Sequence, residues 1–182
     1  MKKYVIGALV GAIIIFAWQF LSWSLLAIHA KEAKYLPAQD SILNILSSTI
    51  KEDGRYLLPT SPPGTSQEEM QKAAEQRNNQ PLATITYKSK FVYSMSSPMI
   101  WGFVIDIILV VLLISILTRG GLPTFIQIFT GSIAVGIFSF LWGPYTQYNW
   151  FQVPWESIQG HLIDAVAAWG LCGLWLGWWL RR

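Results

Sequence analysis

The segment from Pro98 to Trp142 reads PMIWGFVIDIILVVLLISILTRGGLPTFIQIFTGSIAVGIFSFLW. It holds two apolar runs, 98–118 and 122–142, parted only by Arg119, Gly120 and Gly121. At ~1.5 Å per residue, each run coiled as a helix matches the ~30 Å hydrocarbon layer of a bilayer. So short a join makes them a tight hairpin. Working outward, Tyr4 to Ile28 is an uncharged apolar stretch behind Lys2 and Lys3. Another runs from His161 or Leu162 to Leu180 and stops at Arg181 and Arg182. The expected fold is an all-α membrane protein: a four-helix transmembrane bundle with a small α/β extracytoplasmic cap between helices 1 and 2. Residues 1–30 form the first helix, 31–96 the cap, and 97–182 the other three helices with an aromatic outer loop at 143–160.

Composition agrees. The chain of 182 residues is 53% hydrophobic and only 13% charged, with ten Trp, seven Tyr and nine Phe, which is too apolar for one soluble domain. A single cysteine excludes an intramolecular disulfide and any CxxC redox or zinc site. A secretory leader would begin similarly, but its apolar core is normally ~7 to 15 residues and ends in a small-x-small site. Ile28-His29-Ala30 is a poor one, so the first helix is expected to stay as an anchor.

Lysine and arginine near the ends of the spans set the orientation. With the N-terminus inside, the inner segments hold Lys2, Lys3, Arg119, Arg181 and Arg182 and no acid. The long loop mixes eight cations with seven acids, and long loops weigh little in this rule. Both termini are therefore expected on the cytoplasmic side. Those five cations serve as topology anchors, so the net charge of +3 calls for no nucleic-acid partner; the bilayer and a membrane-protein partner are the expected ones.

Within the cap, Ile42, Leu43, Ile45, Leu46 and Ile50 recur at helical spacing over Asp40–Lys51, with Asp40 placed to cap the start and Gly54 past the end. Arg55–Pro59 reads as a short strand. Thr60-Ser61-Pro62-Pro63-Gly64 is a rigid turn. Ser66 and Glu69 make a capping box opening a polar helix to about Arg77, and Leu82–Lys90 alternates as a half-buried strand able to pair with the first. Such a small core is marginal alone, so the cap is expected to lean on the membrane helices or a partner.

The segment Trp142–Trp155 carries six aromatics, Trp142, Tyr145, Tyr148, Trp150, Phe151 and Trp155, with Pro144 and Pro154 limiting the backbone. It suits the headgroup layer, as an aromatic belt or a docking surface. Trp175, Trp178 and Trp179 form the matching inner belt. Helices in lipid are held by close packing and polar contacts. Gly7, Ala8, Gly11 and Ala12 of the first helix, Ser132 and Gly136 of the third, and Gly173 and Gly177 of the fourth mark the expected packing faces. The second helix has no such pair and suits a lipid-facing position.

Asp106 is the most informative single residue. A carboxylate at a helix centre costs roughly 2.5–3.5 kcal/mol on insertion scales, against roughly 0.3–0.6 returned by each apolar aliphatic residue. The 13 Ile, Leu and Val residues of that run carry it across without explaining it. Intramembrane acids usually face a bundle interior, a cavity or a partner. His161 and Asp164 begin the fourth helix at i and i+3, on one face, with Asp164 at a depth similar to Asp106. If Gln19, Ser22 and Ser139 also turn inward, the outer half of the bundle holds a polar cluster: Asp106, His161, Asp164, Gln19 and Ser22. This cluster reads as a structural hydrogen-bonded network, an ion or proton route, a small-ligand pocket, or a metal-dependent catalytic site. His29 could join His161 and Asp164 or Glu156 around a metal, but no HExxH-like spacing supports it; His29 is expected to be an interfacial side chain with a wet tip. No cofactor, bound metal or catalytic residue is expected. Cys172 is expected to be an apolar filler.

Trp18, Ser22-Trp23 and His29, followed by Gly54, Tyr56 and Pro59, make the first third of the chain similar to a loose group of bacterial inner-membrane proteins. These share a first helix ending in Ser-Trp and then His, and a Gly-x-Tyr-x-x-Pro strand. The group places Pro-Trp before the His, where this chain has Ala27-Ile28. The resemblance implies a bacterial cytoplasmic membrane and brings no activity. The expected function is that of a non-enzymatic accessory or assembly subunit of a larger envelope complex, binding partners through its cap and aromatic loop. The alternative is a small transporter or a ligand- or proton-binding membrane protein using Asp106, Asp164 and His161.

Overall fold

In the computed structural model, which describes residues 2–182, four helical stretches are long and apolar enough to cross a membrane. They are Lys2–Leu25, Ser96–Leu117, Phe125–Phe151 and Trp155–Arg181. The protein is mostly helical, and a small two-stranded sheet is added to these four. In chain order the elements are α1 (Lys2–Phe20), α2 (Gln39–Thr49), β1 (Gly54–Leu58), α3 (Gln67–Gln76), β2 (Ala83–Tyr87), α4 (Ser96–Leu117), α5 (Phe125–Trp142), α6 (Pro144–Phe151) and α7 (Gln159–Arg181). The chain forms two compact units, one made of the N-terminal helix up to Tyr35 together with Ser94–Arg182, the other Leu36–Tyr93.

In the helical unit, α7 packs against both α1 and α5, and α4 packs against α1. Small residues make these approaches. Gly11 is seated against Val110 and Cys172, Gly173 against Ser132 and the Phe129 backbone, and Gly177 against Phe125. A β-carbon on Gly136 would overlap the Ala165 carbonyl oxygen, so α5 and α7 meet nearly backbone to backbone. Ala8, Ala12, Val110, Leu113, Ile128, Cys172 and Leu176 fill the shared core. Although α4 and α5 are neighbours in sequence, they touch sparingly; Leu117 lies against Gly131. Gly121 takes φ 106° in the turn between them, a conformation a β-carbon resists. Thr124 and Gln127 add a reciprocal cap at the start of α5 that the sequence reading did not single out.

One end of this unit gathers the basic residues. Trp179 Nε1 donates to the Lys3 carbonyl at 2.8 Å, and Arg181 Nη1 to the Pro123 carbonyl at 3.0 Å. The Arg182 guanidinium lies 4.8 Å from the Trp178 ring centroid.

The smaller unit pairs β1 and β2 antiparallel, with Tyr56 opposite Ile85. Ser66 and Glu69 form the expected capping box of α3. Asp40, by contrast, lies within the first turn of α2, and the cap position falls to Ala38, which has no side-chain oxygen. Asp40 thus favours the helix dipole without capping it.

Two helix ends differ from expectation. The aromatic segment after Trp142 is largely helical: α6 begins at Pro144, whose fixed φ suits a first helical position, and a 3₁₀ turn follows at Trp155–Ser157. And α1 does not continue regularly to Ile28; it loosens into a π turn over Leu21–Leu25.

Candidate functional site

The irregular end of α1 builds the site. Leu26 N–H bonds to the Leu21 carbonyl at 2.8 Å, Ala27 takes φ 50°, and Ile28 N–H reaches back to the Ser22 carbonyl at 3.2 Å. A left-handed residue followed by a bond across the last turn reverses the chain at a helix terminus. The reversal lays His29 back over the bundle, against Gly160, where a β-carbon would stand 2.9 Å from His29 Nδ1. His29 is therefore buried, 7% exposed. The expectation of a wet interfacial tip is corrected: the turn folds the imidazole inward, and Trp23 stacks on it at 3.9 Å and 4°.

Both ring nitrogens of His29 meet acids. Nδ1 is 2.8 Å from Glu32 Oε2 and Nε2 is 2.8 Å from Asp164 Oδ2. The other Asp164 oxygen accepts from Ser22 Oγ at 2.6 Å and from Trp18 Nε1 at 2.9 Å. The second oxygen of Glu32 lies 3.4 Å from His161 Nε2. Helix α1 with its irregular end, the turn after it and α7 thus converge on one chain of polar contacts, Trp18 and Ser22 to Asp164, then His29, Glu32 and His161. Charge-assisted bonds of this kind are short and about twice as strong as neutral ones.

Asp106 stands apart from that chain. It is 2% exposed, Gln19 Nε2 donates to its Oδ1 at 3.2 Å, and its Oδ2 has no hydrogen-bond partner among the described residues. Buried polar atoms are nearly always paired, so an orphan calls for an explanation. Asp106, Gln19, Ser139, His161 and Asp164 line one cavity of about 760 Å³, walled by Trp23, Phe138, Trp142 and Trp169. It lies between α1, α4, α5 and α7, where α4 and α5 have parted.

Of the residues the sequence singled out, Asp106, His161, Asp164 and Gln19 share this cavity, while Ser22 is fully buried beneath Asp164. Asp106 and Asp164 make no hydrogen bond to each other; each has its own donors. Ser139 lines the cavity but donates to the Gly136 carbonyl at 2.7 Å in its own helix. Among the aromatic-loop residues, Tyr145, Tyr148 and Trp155 form ring contacts with one another and with Phe140, whereas Trp150 is 75% exposed and Phe151 lies on α6. Sequence reasoning missed Glu32. The available signal was its i+3 spacing from His29, hidden because nothing in composition marks a turn there.

No family model, curated protein or solved structure matches this chain.

Proposed function

We propose that this chain is a small, non-enzymatic, multi-pass protein of the bacterial cytoplasmic membrane, both termini inside, that takes a small cation, the proton included, into the polar cavity from the outer face. The observation carrying this reading is Asp106: a buried acid, half satisfied, on a cavity shared with Asp164 and His161. Asp106 and Asp164 supply negative charge there, and among the described residues no lysine or arginine lines the cavity, which favours a positive ligand. The orientation is supported by the basic residues gathered at the opposite end of the unit, as the positive-inside rule requires.

The test uses proteoliposomes with an entrapped pH-sensitive dye and an imposed potassium diffusion potential. The expected result is a proton flux above that of empty vesicles, reduced at least tenfold by Asp106→Asn. Equal fluxes in wild type and Asp106→Asn would remove the acid from the reading, and no flux in either would end it.

A second reading is favoured by the exposed rings on α5 and α6, Trp142 and Trp150: the accessory subunit of an envelope complex, docking through its outer aromatic segment and cap. Purification in mild detergent with mass spectrometry separates the two, since a monodisperse chain with no stoichiometric companion argues against the subunit.

A further inference from the structure

The cluster above the cavity has the chemistry of a transition-metal site. His29, Glu32 and His161 each offer a ligand atom, and these atoms lie within 4.8 Å of one another. Two imidazoles and one carboxylate suit Zn²⁺ and the neighbouring first-row divalent ions far better than Mg²⁺ or Ca²⁺, which prefer all-oxygen shells. The spacing also agrees. With bonds of ~2.0–2.1 Å, tetrahedral ligands stand about 3.3 Å apart, and His161 Nε2 is 3.4 Å from Glu32 Oε1. The closer pair, His29 Nδ1 and Glu32 Oε2 at 2.8 Å, parts by half an ångström or so through rotation of the Glu32 carboxylate, whose side chain is 32% exposed.

The surroundings of His29 strengthen the case. A metal-binding histidine almost always donates its second ring N–H to a carboxylate or carbonyl, which fixes its tautomer and raises its basicity. His29 Nε2 does this to Asp164 Oδ2, and Asp164 is itself fixed by Ser22 and Trp18. That leaves Nδ1 as the ligand, pointing at Glu32. The charges balance too. Glu32 and Asp164 carry two negative charges beside two imidazoles, and one divalent ion neutralises them with both rings neutral. A second cavity, of about 420 Å³, is lined by Glu32, His161, Gln147 and Ser157, so the metal keeps an open coordination position toward the outer side.

We infer that His29 Nδ1, Glu32 and His161 Nε2 bind one divalent transition-metal ion of the zinc class, with Asp164 as the positioning residue behind His29. This rests on the cation reading above and names the cation held at the mouth of the cavity.

The test loads the full chain in detergent, stripped with a chelator, with Co²⁺ as a spectroscopic probe and then with Zn²⁺, at several ratios. One equivalent of Co²⁺ should give the intense visible bands of a four-coordinate N/O site, bleached by one equivalent of Zn²⁺. Glu32→Gln and His161→Ala should weaken Zn²⁺ binding at least 100-fold, and Asp164→Asn by about 10- to 100-fold with the stoichiometry kept. Because Asp164 also holds α1 to α7, each variant is compared only where gel filtration and thermal unfolding match the wild type; His161, one-third exposed, is the variant least tied to folding. Weak binding of several ions, unmoved by Glu32→Gln and His161→Ala, overturns the site. Asp106→Asn should leave the Co²⁺ bands unchanged. Wild-type flux no greater than that of empty vesicles, with intact bands, overturns the cavity reading alone; flux that is lost in Asp106→Asn, with no bands in the wild type, overturns the metal site alone.

Discussion

Replacing Gly136 and Gly170 separately by alanine should move stability in opposite directions. Both lie in helices of the α5–α7 contact. At Gly136 a β-carbon would overlap the Ala165 carbonyl oxygen and stand 2.6 Å from Trp169 Cδ1. The carbonyl belongs to a rigid helix, so the overlap is relieved only by moving α5 and α7 apart along their whole contact. Overpacking of this kind costs about 1–3 kcal/mol, occasionally more, against a helix-propensity gain of about 1 kcal/mol for alanine over glycine. Separating the helices also loosens the small-residue contacts at Gly173 and Gly177. With a rigid backbone carbonyl as the obstacle the cost falls at the upper end of that range, about 3 kcal/mol, so the net expectation for Gly136→Ala is a loss of about 2 kcal/mol. At Gly170 the nearest atoms to a β-carbon are Ile133 Cγ1 at 3.8 Å and Cδ1 at 3.9 Å, ordinary van der Waals contacts. There the propensity gain stands unopposed, and Gly170→Ala should be neutral or stabilising by up to about 1 kcal/mol. The assay is reversible unfolding of the detergent-solubilised chain in mixed micelles of increasing sodium dodecyl sulfate, followed by far-UV circular dichroism. If Gly136→Ala unfolds with wild type, or both substitutions destabilise alike, α5 and α7 do not pack as described.

Asp164→Leu removes the acceptor of Trp18, Ser22 and His29 while keeping the γ-branched shape in a larger side chain; three stranded donors at about 1–3 kcal/mol each should cost at least about 3 kcal/mol, read as an earlier unfolding midpoint, and an unchanged midpoint would mean that the network contributes nothing. In the cap, the Ser66 hydroxyl and then its backbone N–H hold the Glu69 carboxyl below its ordinary range. A depressed carboxyl contributes stability above its unfolded value, and that contribution is lost as pH falls through the lowered folded value. Amide exchange in the first turn of α3 should therefore quicken relative to the rest of the helix as pH drops below about 4.5, the ordinary value for this group, and Ser66→Ala should flatten that dependence; an equal slope in both would refute it. Ala27, at φ 50°, sits where alanine is strained by about 1–2 kcal/mol. Ala27→Gly should keep or slightly raise the unfolding midpoint, whereas β-branched Ala27→Val should lower it and weaken metal binding, because the turn that delivers His29 opens. Equal behaviour of the two variants would mean that the left-handed turn is not formed.

The four long helices were legible because length and apolarity alone qualify a span, and the glycine faces because small residues let helix backbones approach closely. The Ser66–Glu69 box was legible as a local pattern with its own hydrogen-bond arithmetic. Less legible were features set by neighbours. The end of α1 has no glycine or proline to announce it; Ala27 takes a left-handed conformation that sequence argues against, and the surrounding packing sustains it. That single residue decides that His29 is buried and that Glu32 belongs to the site. Helix α6 was hidden by the aromatic run, in which Pro144 reads equally well as a breaker and as a first helical residue. Asp106 and Asp164 matched in depth on the helical rise, but the donors each would find depended on helix rotation, which an almost uniformly apolar α4 does not encode.

Those donors also divide the work between the two acids. A purely structural polar network should leave none of its buried atoms alone, because each costs more unsatisfied than it returns paired. Asp164 meets that standard: three donors from α1 and the turn after it converge on this α7 carboxylate and tie α7 to α1, and it behaves as a strut behind His29. Asp106 does not. It has one amide donor, a bare oxygen, and a cavity beside it that opens where α4 leaves α5. Were Asp106 present only to hold α1 to α4, an amide or a hydroxyl would serve with a smaller desolvation cost, and the helices already interlock at Gly11 and Val110. Loss of function on changing Asp164 would therefore report mainly on architecture, whereas a change at Asp106 that leaves folding and metal binding intact reports on what the cavity is for.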